Sequence, residues 1–166
     1  MTTLRICAAT LVAGVFFSGN AMAEDVVRHK NPSSDFPIAQ AVEVPAGKTT
    51  VYVSGAVPSV VDEKAEKGSL AAYGDTRTQT ESVLKSIEKT LEGLGLKMGD
   101  VVKMQVFLVG DPAQGGKMDF AGFMDGYTKF FGTKEQPNLP ARSVMQVAGL
   151  VAPGWLVEIE VTAVRP

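Results

Sequence analysis

The sequence has one cysteine and one histidine. That scarcity excludes a Cys/His zinc centre and a Cys–His nucleophile pair built from this chain alone. Ser/His/Asp chemistry would have to use His29, which sits near a terminus. Excess charge is missing as well: 16 Lys and Arg stand against 18 Asp and Glu, a formal net charge of −2. So balanced a chain has no electrostatic footprint for nucleic acid. No repeat or low-complexity tract is present. The apolar run Ile6 to Phe17 falls short of the roughly 20 residues that a spanning helix needs.

Hydrophobic residues make up 45% and charged residues 20% of the 166 positions, a globular balance for one domain. The N-terminus is set apart. Arg5 is the only charge before Glu24, the apolar run follows it, and Ala21-Met22-Ala23 closes the segment. A basic start, a short apolar stretch and an A-x-A end are the parts of a secretory signal peptide, rather than of a membrane anchor or a buried helix. The expected division is a leader over 1–23 and a domain over 24–166, with cleavage after Ala23. The mature chain then keeps no membrane anchor, and Cys7 is lost with the leader. A protein without thiols suits an oxidising compartment, periplasmic or secreted.

Along the domain, Glu24 to Phe36 is polar and reads as an irregular arm. Ala41 to Val44 and Thr50 to Val57 flank the turn residues Pro45-Ala46-Gly47-Lys48, which predicts an antiparallel hairpin. Residues 58 to 75 read as a loop. Asp75 is a candidate cap for a helix with Val83, Leu84, Ile87, Leu91 and Leu94 on one face; Thr78-x-x-Glu81 offers a capping box, and Gly93 and Gly95 end the helix. Val101 to Val109 is a strand, Phe120 to Phe131 a second amphipathic helix, and Arg142 to Val147 and Trp155 to Val164 the last strands. The aromatic stripe of the second helix reads as core packing. This order gives an α+β fold: a single mixed sheet with two helices packed on one face.

In the last strand Trp155, Val157, Ile159, Val161 and Ala163 make an apolar face for the helices. The other face carries Leu156, Glu158, Glu160, Thr162 and Val164. Alternation alone leaves it open whether that face is solvated or forms an oligomer interface with a pocket in it.

Three segments stand out: Val51-Tyr52-Val53-Ser54-Gly55, Leu139-Pro140-Ala141-Arg142-Ser143 and Val157-Glu158-Ile159-Glu160. With the helix around Gln79 and the strand Val101 to Leu108, they resemble the Rid family of reactive-intermediate deaminases, also called YjgF-like, over Phe36 to Val164. The resemblance implies a chorismate-mutase-like fold and a homotrimer. Three sheets then enclose a barrel, with helices outside and a ligand cleft between subunits. The implied activity is that of a 2-iminobutanoate/2-iminopropanoate deaminase-like hydrolase. Such an enzyme converts enamines and imines of amino acids to 2-oxo acids and ammonia. Neither metal nor organic cofactor is implied, and the implied ligand is a small carboxylate-bearing imine, enamine or 2-oxo acid.

Arg142 matches the family's carboxylate anchor; a planar guanidinium fork suits a carboxylate bidentately. Glu158 matches the position that holds water or shuttles its proton, while Glu160 reads as a structural partner or barrel-interior residue. Ser54 and Gly55 match the strand beside the ligand, and the missing side chain of Gly55 lets a backbone approach closely. Val144 stands where many members have Cys, which excludes a thiol role. Two positions depart from the pattern. Phe36-Pro37-Ile38 puts Ile38 in the place of a Tyr, and Met124, three before Tyr127, replaces an Asn. Both changes imply a more apolar pocket. A non-catalytic trimer that binds small carboxylates is the alternative on the same fold.

Overall fold

The computed structural model describes residues 25–166, so the expected leader lies outside the described residues. Six strands and three helices follow in the order β1 (Val27–His29), β2 (Ala41–Glu43), β3 (Thr50–Ala56), α1 (Leu70–Tyr73), α2 (Thr76–Gly93), β4 (Val101–Val109), α3 (Phe120–Tyr127), β5 (Ala141–Val147) and β6 (Val157–Val164). Four strands form one mixed sheet in the order β3-β6-β4-β5. β4 and β5 are parallel, and β6 runs antiparallel to both of its neighbours. A parallel pair cannot be closed by a tight turn, and α3 lies in the crossover between β4 and β5. None of the described helices is long and apolar enough to cross a membrane.

Local chemistry sets the ends of α2. The Asp75 carboxylate accepts from the Thr78 N–H at 2.8 Å. At the other end Gly95 takes φ +70°, Gly95 N–H donates to Glu92 and Leu96 N–H to Leu91. This paired closure lets the helix stop at a left-handed glycine while Leu96 folds back onto the core. Val83, Leu84, Ile87 and Leu91 are buried against Met104, Val106, Leu108, Val157, Ile159 and Val161. The apolar faces foreseen for β4 and β6 therefore meet the helices, forming one core between the two layers.

Several expectations change. The arm is not wholly irregular, because Val27–His29 pairs antiparallel with Ala41–Glu43. The hairpin between Ala41–Val44 and Thr50–Val57 does not form: β2 pairs with β1, and β3 pairs with β6. A turn can bring two segments close, but burial decides pairing, and β3 needs the apolar β6 beside it. Leu94 is exposed at the end of α2 rather than part of its buried face. Glu81 forms no capping box; its carboxylate pairs with Arg77 and with Lys129 beyond α3. The second helix stops at Tyr127, and the loop 58–75 contains the single turn α1 as a third helix.

Two polar side chains, one buried and one half-buried, tie distant segments together. The Gln79 amide, fully buried on α2, donates to Gly74 O and Gly154 O at 2.9 Å each and accepts from Leu156 N–H at 2.7 Å. Arg28 on β1 donates to Gly99 O, Val101 O and Leu139 O at 2.8–2.9 Å, clasping the arm to the start of β4. Burial lowers the Arg28 guanidinium from its ordinary value, while nearby Asp100 acts in the opposite direction.

Replacing Gln79 with Leu leaves one buried N–H and two carbonyls without partners. The unfolding free energy is expected to fall by roughly 2–4 kcal/mol, read from urea denaturation. A midpoint within experimental error of wild type would show that water satisfies those groups instead.

Candidate functional site

Arg142 enters through the extended linker that ends in Pro140. Proline holds such segments out of the helical region, so the chain reaches β5 straight. Met104 is its partner on β4, and this register turns Arg142 toward the helix layer at an outer strand of the sheet. There the guanidinium carbon lies 4.1 Å from the centroid of the Tyr127 ring, 5.0 Å from Phe123 and 5.5 Å from Phe36. Nη2 contacts Met124 Sδ at 3.3 Å, and Nη1 is buried with no hydrogen-bond partner. No carboxylate among the described residues pairs with it.

Aromatic faces attract a cation but do not accept its N–H protons as an oxygen does. Burial lowers the Arg142 guanidinium from its ordinary value, with Tyr127 opposing the shift. A half-buried guanidinium with an unpaired N–H and no carboxylate beside it among the described residues is suited to take an anion. A cleft of about 430 Å³ opens at this point, lined by Phe36, Ile38, Gln40, Lys103 and Arg142 among others.

The cage is itself held in place. Tyr127 donates its hydroxyl to Pro37 O at 3.0 Å, fixing the arm over α3. Ala39 N–H donates to Pro140 O at 3.0 Å, so the arm also borders the linker. Phe123, Tyr127 and Phe131 continue as a ladder of rings with centroids 5.7 and 5.0 Å apart.

Glu158 lies elsewhere. Its partner on β4 is Phe107, an odd number of residues from Met104, so Glu158 points to the sheet face that the helices leave bare. β3 carries a bulge there: Val53 pairs with Val161, but the next pair is Ala56 with Ile159. The extra residue puts Ser54 and Gly55 opposite Glu160 in register, and Gly55 also lies against the Glu158 side chain. A Cβ on Gly55 would collide with the Glu158 carboxylate, so only glycine allows that carboxylate its position.

The structure thus forms two groups from the expected residues. Ile38 and Arg142 line the cleft, with Met124 against the guanidinium; Gly55 and Glu158 meet on the bare face, where Ser54 lies near Glu160. Within one chain the two groups sit on opposite faces of the sheet. Val144, two positions beyond Arg142, packs against the core. Glu160 pairs with Gln105 and faces the same side as Glu158. Phe36, Phe123 and Tyr127 are members of the cage that alternation did not single out. The aromatic stripe of α3 was visible, but a stripe does not say which ring meets a cation from another strand.

A family model described as endoribonuclease L-PSP matches residues 20–165. The chain belongs to this family. L-PSP relatives include the 2-iminobutanoate/2-iminopropanoate deaminase of Salmonella typhimurium, 33% identical over 87% of this chain and 99% of that protein. The crystal structure of the YjgF gene product of E. coli is 32% identical with a TM-score of 0.55, covering 81% of this chain and 93% of that one. E. coli TdcF with bound serine is 29% identical, TM-score 0.55, over 86% of this chain and 99% of that one. The YjgF-like α+β fold foreseen from the three segments is therefore the observed one, and relatives named imine deaminases support a deaminase-like role.

Burial raises the Tyr127 hydroxyl to about 12, against an ordinary value of 10.0, with the nearby Arg142 acting the other way. The unfolded chain loses this proton near pH 10 and the folded chain only near pH 12. Stability is thus complete below pH 10 and lost as pH rises through that window. A Tyr127→Phe variant is expected to lose less stability than wild type over this range, by on the order of 2 kcal/mol. Parallel pH profiles of the two, from denaturant midpoints, would contradict the buried neutral phenol.

Proposed function

We propose that this chain is an exported hydrolase that deaminates reactive imines and enamines of amino acids. The observation that carries the reading is the Arg142 guanidinium, buried among three rings with Nη1 unpaired. An incoming carboxylate supplies the acceptor oxygens and the negative charge that this group lacks. The names of the relatives supply the reaction class.

The chemistry that follows is simple. An enamine first takes a proton at its β-carbon and becomes the imine. Water adds to the imine carbon while nitrogen gains a proton, giving a carbinolamine. Loss of ammonia then re-forms a C=O bond and yields the 2-oxo acid. Arg142 holds the carboxylate and fixes the adjacent carbon; Glu158 orients the water and moves its proton. Because the two lie on opposite faces of one sheet, this assignment requires a neighbouring copy to bring its Glu158 to Arg142. A homotrimer with its bare sheet faces turned inward is the assembly proposed. Exposure of Tyr52 and Met145 on those faces supports it. Ile38 and Met124, apolar where polar groups would assist the chemistry, favour a second reading: a trimer of the same fold that binds small carboxylates without turning them over.

Light scattering of the purified protein is expected to give a trimer, and mass spectrometry of exported material an N-terminus at Glu24. A monomer at micromolar concentration would remove the shared site, and retention of Met1 would refute the leader.

Arg142→Ala is expected to weaken 2-oxo acid binding tenfold to a hundredfold or more, in line with roughly 1.5–3 kcal/mol for a charge-assisted hydrogen bond. Arg142→Lys recovers little, since an ammonium lacks the planar fork. Glu158→Gln keeps the shape and loses the proton carrier, so turnover of oxidase-generated imines should drop roughly 10²–10⁴-fold with binding nearly unchanged. Binding without turnover across a broad imine panel would establish the second reading. Full turnover in Glu158→Gln would reduce Glu158 to a structural acid.

A further inference from the structure

We infer that Phe36 and Ile38 make this cleft selective for carboxylates with large apolar side chains, so that imines of aromatic and branched amino acids are its preferred substrates. The inference rests on Arg142 as the carboxylate anchor and adds what the rest of the ligand must be.

Phe36 is placed like a wall. Its ring lies over the guanidinium and stacks on Phe120 at 6.2 Å and 18°, yet Phe36 remains 42% exposed. The ring lines the cleft beside Ile38, at the point where Arg142 opens into it. A carboxylate that reaches Arg142 therefore carries its side chain along an aromatic and a branched aliphatic surface.

Local hydrogen bonds stiffen this wall, while Asn31 and Ser34, which also border the cleft, keep their N–H and O–H donors free. Asn31 Oδ1 accepts from Ser33 N–H at 2.9 Å, and Ser34 Oγ accepts from Phe36 N–H at 3.2 Å. Ile38 N–H closes a tight turn onto Phe36 O at 2.8 Å. A surface already in its bound shape loses little freedom when a ligand packs on it. The cleft, about 430 Å³ and open on one side, has room for a ring or branched chain beside the carboxylate. Gln40 and Lys103 also border the cleft, so the competing ligand is a dicarboxylate that uses the lysine as a second anchor.

The test compares pyruvate, 4-methyl-2-oxopentanoate, phenylpyruvate and 2-oxoglutarate as ligands of the purified protein by calorimetry. The two apolar acids are expected to bind roughly tenfold or more tightly than pyruvate, the scale of discrimination in apolar pockets. Phe36→Ala should remove most of that advantage, leaving the two apolar acids within about threefold of pyruvate in the same variant. Phe36→Leu should keep it for the branched acid and reduce it for the aromatic one. Equal affinities, tightest binding of 2-oxoglutarate, or a uniform loss for all four acids in Phe36→Ala would overturn the inference. Unselective binding that Arg142→Ala abolishes sinks this inference alone, whereas binding indifferent to Arg142 sinks the anchor as well. Selective binding without turnover upholds the inference and contradicts only the deaminase reading.

Discussion

A half-buried cation with no paired carboxylate among the described residues is the constraint around which one edge of the molecule is arranged. Arg142 loses water on entering the helix layer, and the rings of Phe36, Phe123 and Tyr127 return only part of that loss. An arm from the start of the chain crosses over α3, a linker ending in Pro140 feeds β5, and a ladder of rings runs behind them. Tyr127 joins the arm to the helix through Pro37, and Arg28 joins it to the start of β4.

The second feature follows from sheet geometry. Strand residues alternate between faces, so two side chains three positions apart in register cannot share a side. Arg142 and Glu158 are separated in this way across β4. One face of the sheet is filled by α2 and α3, and the other holds Glu158 over a β3 bulge whose glycine leaves room for the carboxylate. The proposed assembly joins these halves between copies, which makes oligomerisation part of the chemistry rather than an addition to it.

The amphipathic patterns were largely legible. Alternation placed Val157, Ile159, Val161 and Ala163 under the helices, and spacing placed Val83, Leu84, Ile87 and Leu91 on the buried side of α2. Asp75 and Gly95 marked that helix's ends because capping is local chemistry. The pairing of β3 was not legible, since a short turn after β2 looked like half of a hairpin while the partner of β3 lay at the other end of the chain. Leu94 failed for a related reason: the helix closes at Leu94, and Leu96 takes the inward place.

Sequence by itself determined the α+β class and the family membership carried by the Pro-Ala-Arg-Ser and Glu-Ile-Glu segments, and it picked out Arg142 and Glu158 as candidates. These depend on residue type and local spacing, which the chain carries along its length. Tertiary structure alone decided that Arg142 sits in a cage of rings with no acid beside it, that Phe36 and Ile38 wall the cleft, and that Glu158 faces away. Those relations join strands and arms distant in sequence, and strand register sets each side chain's face only once the sheet is formed.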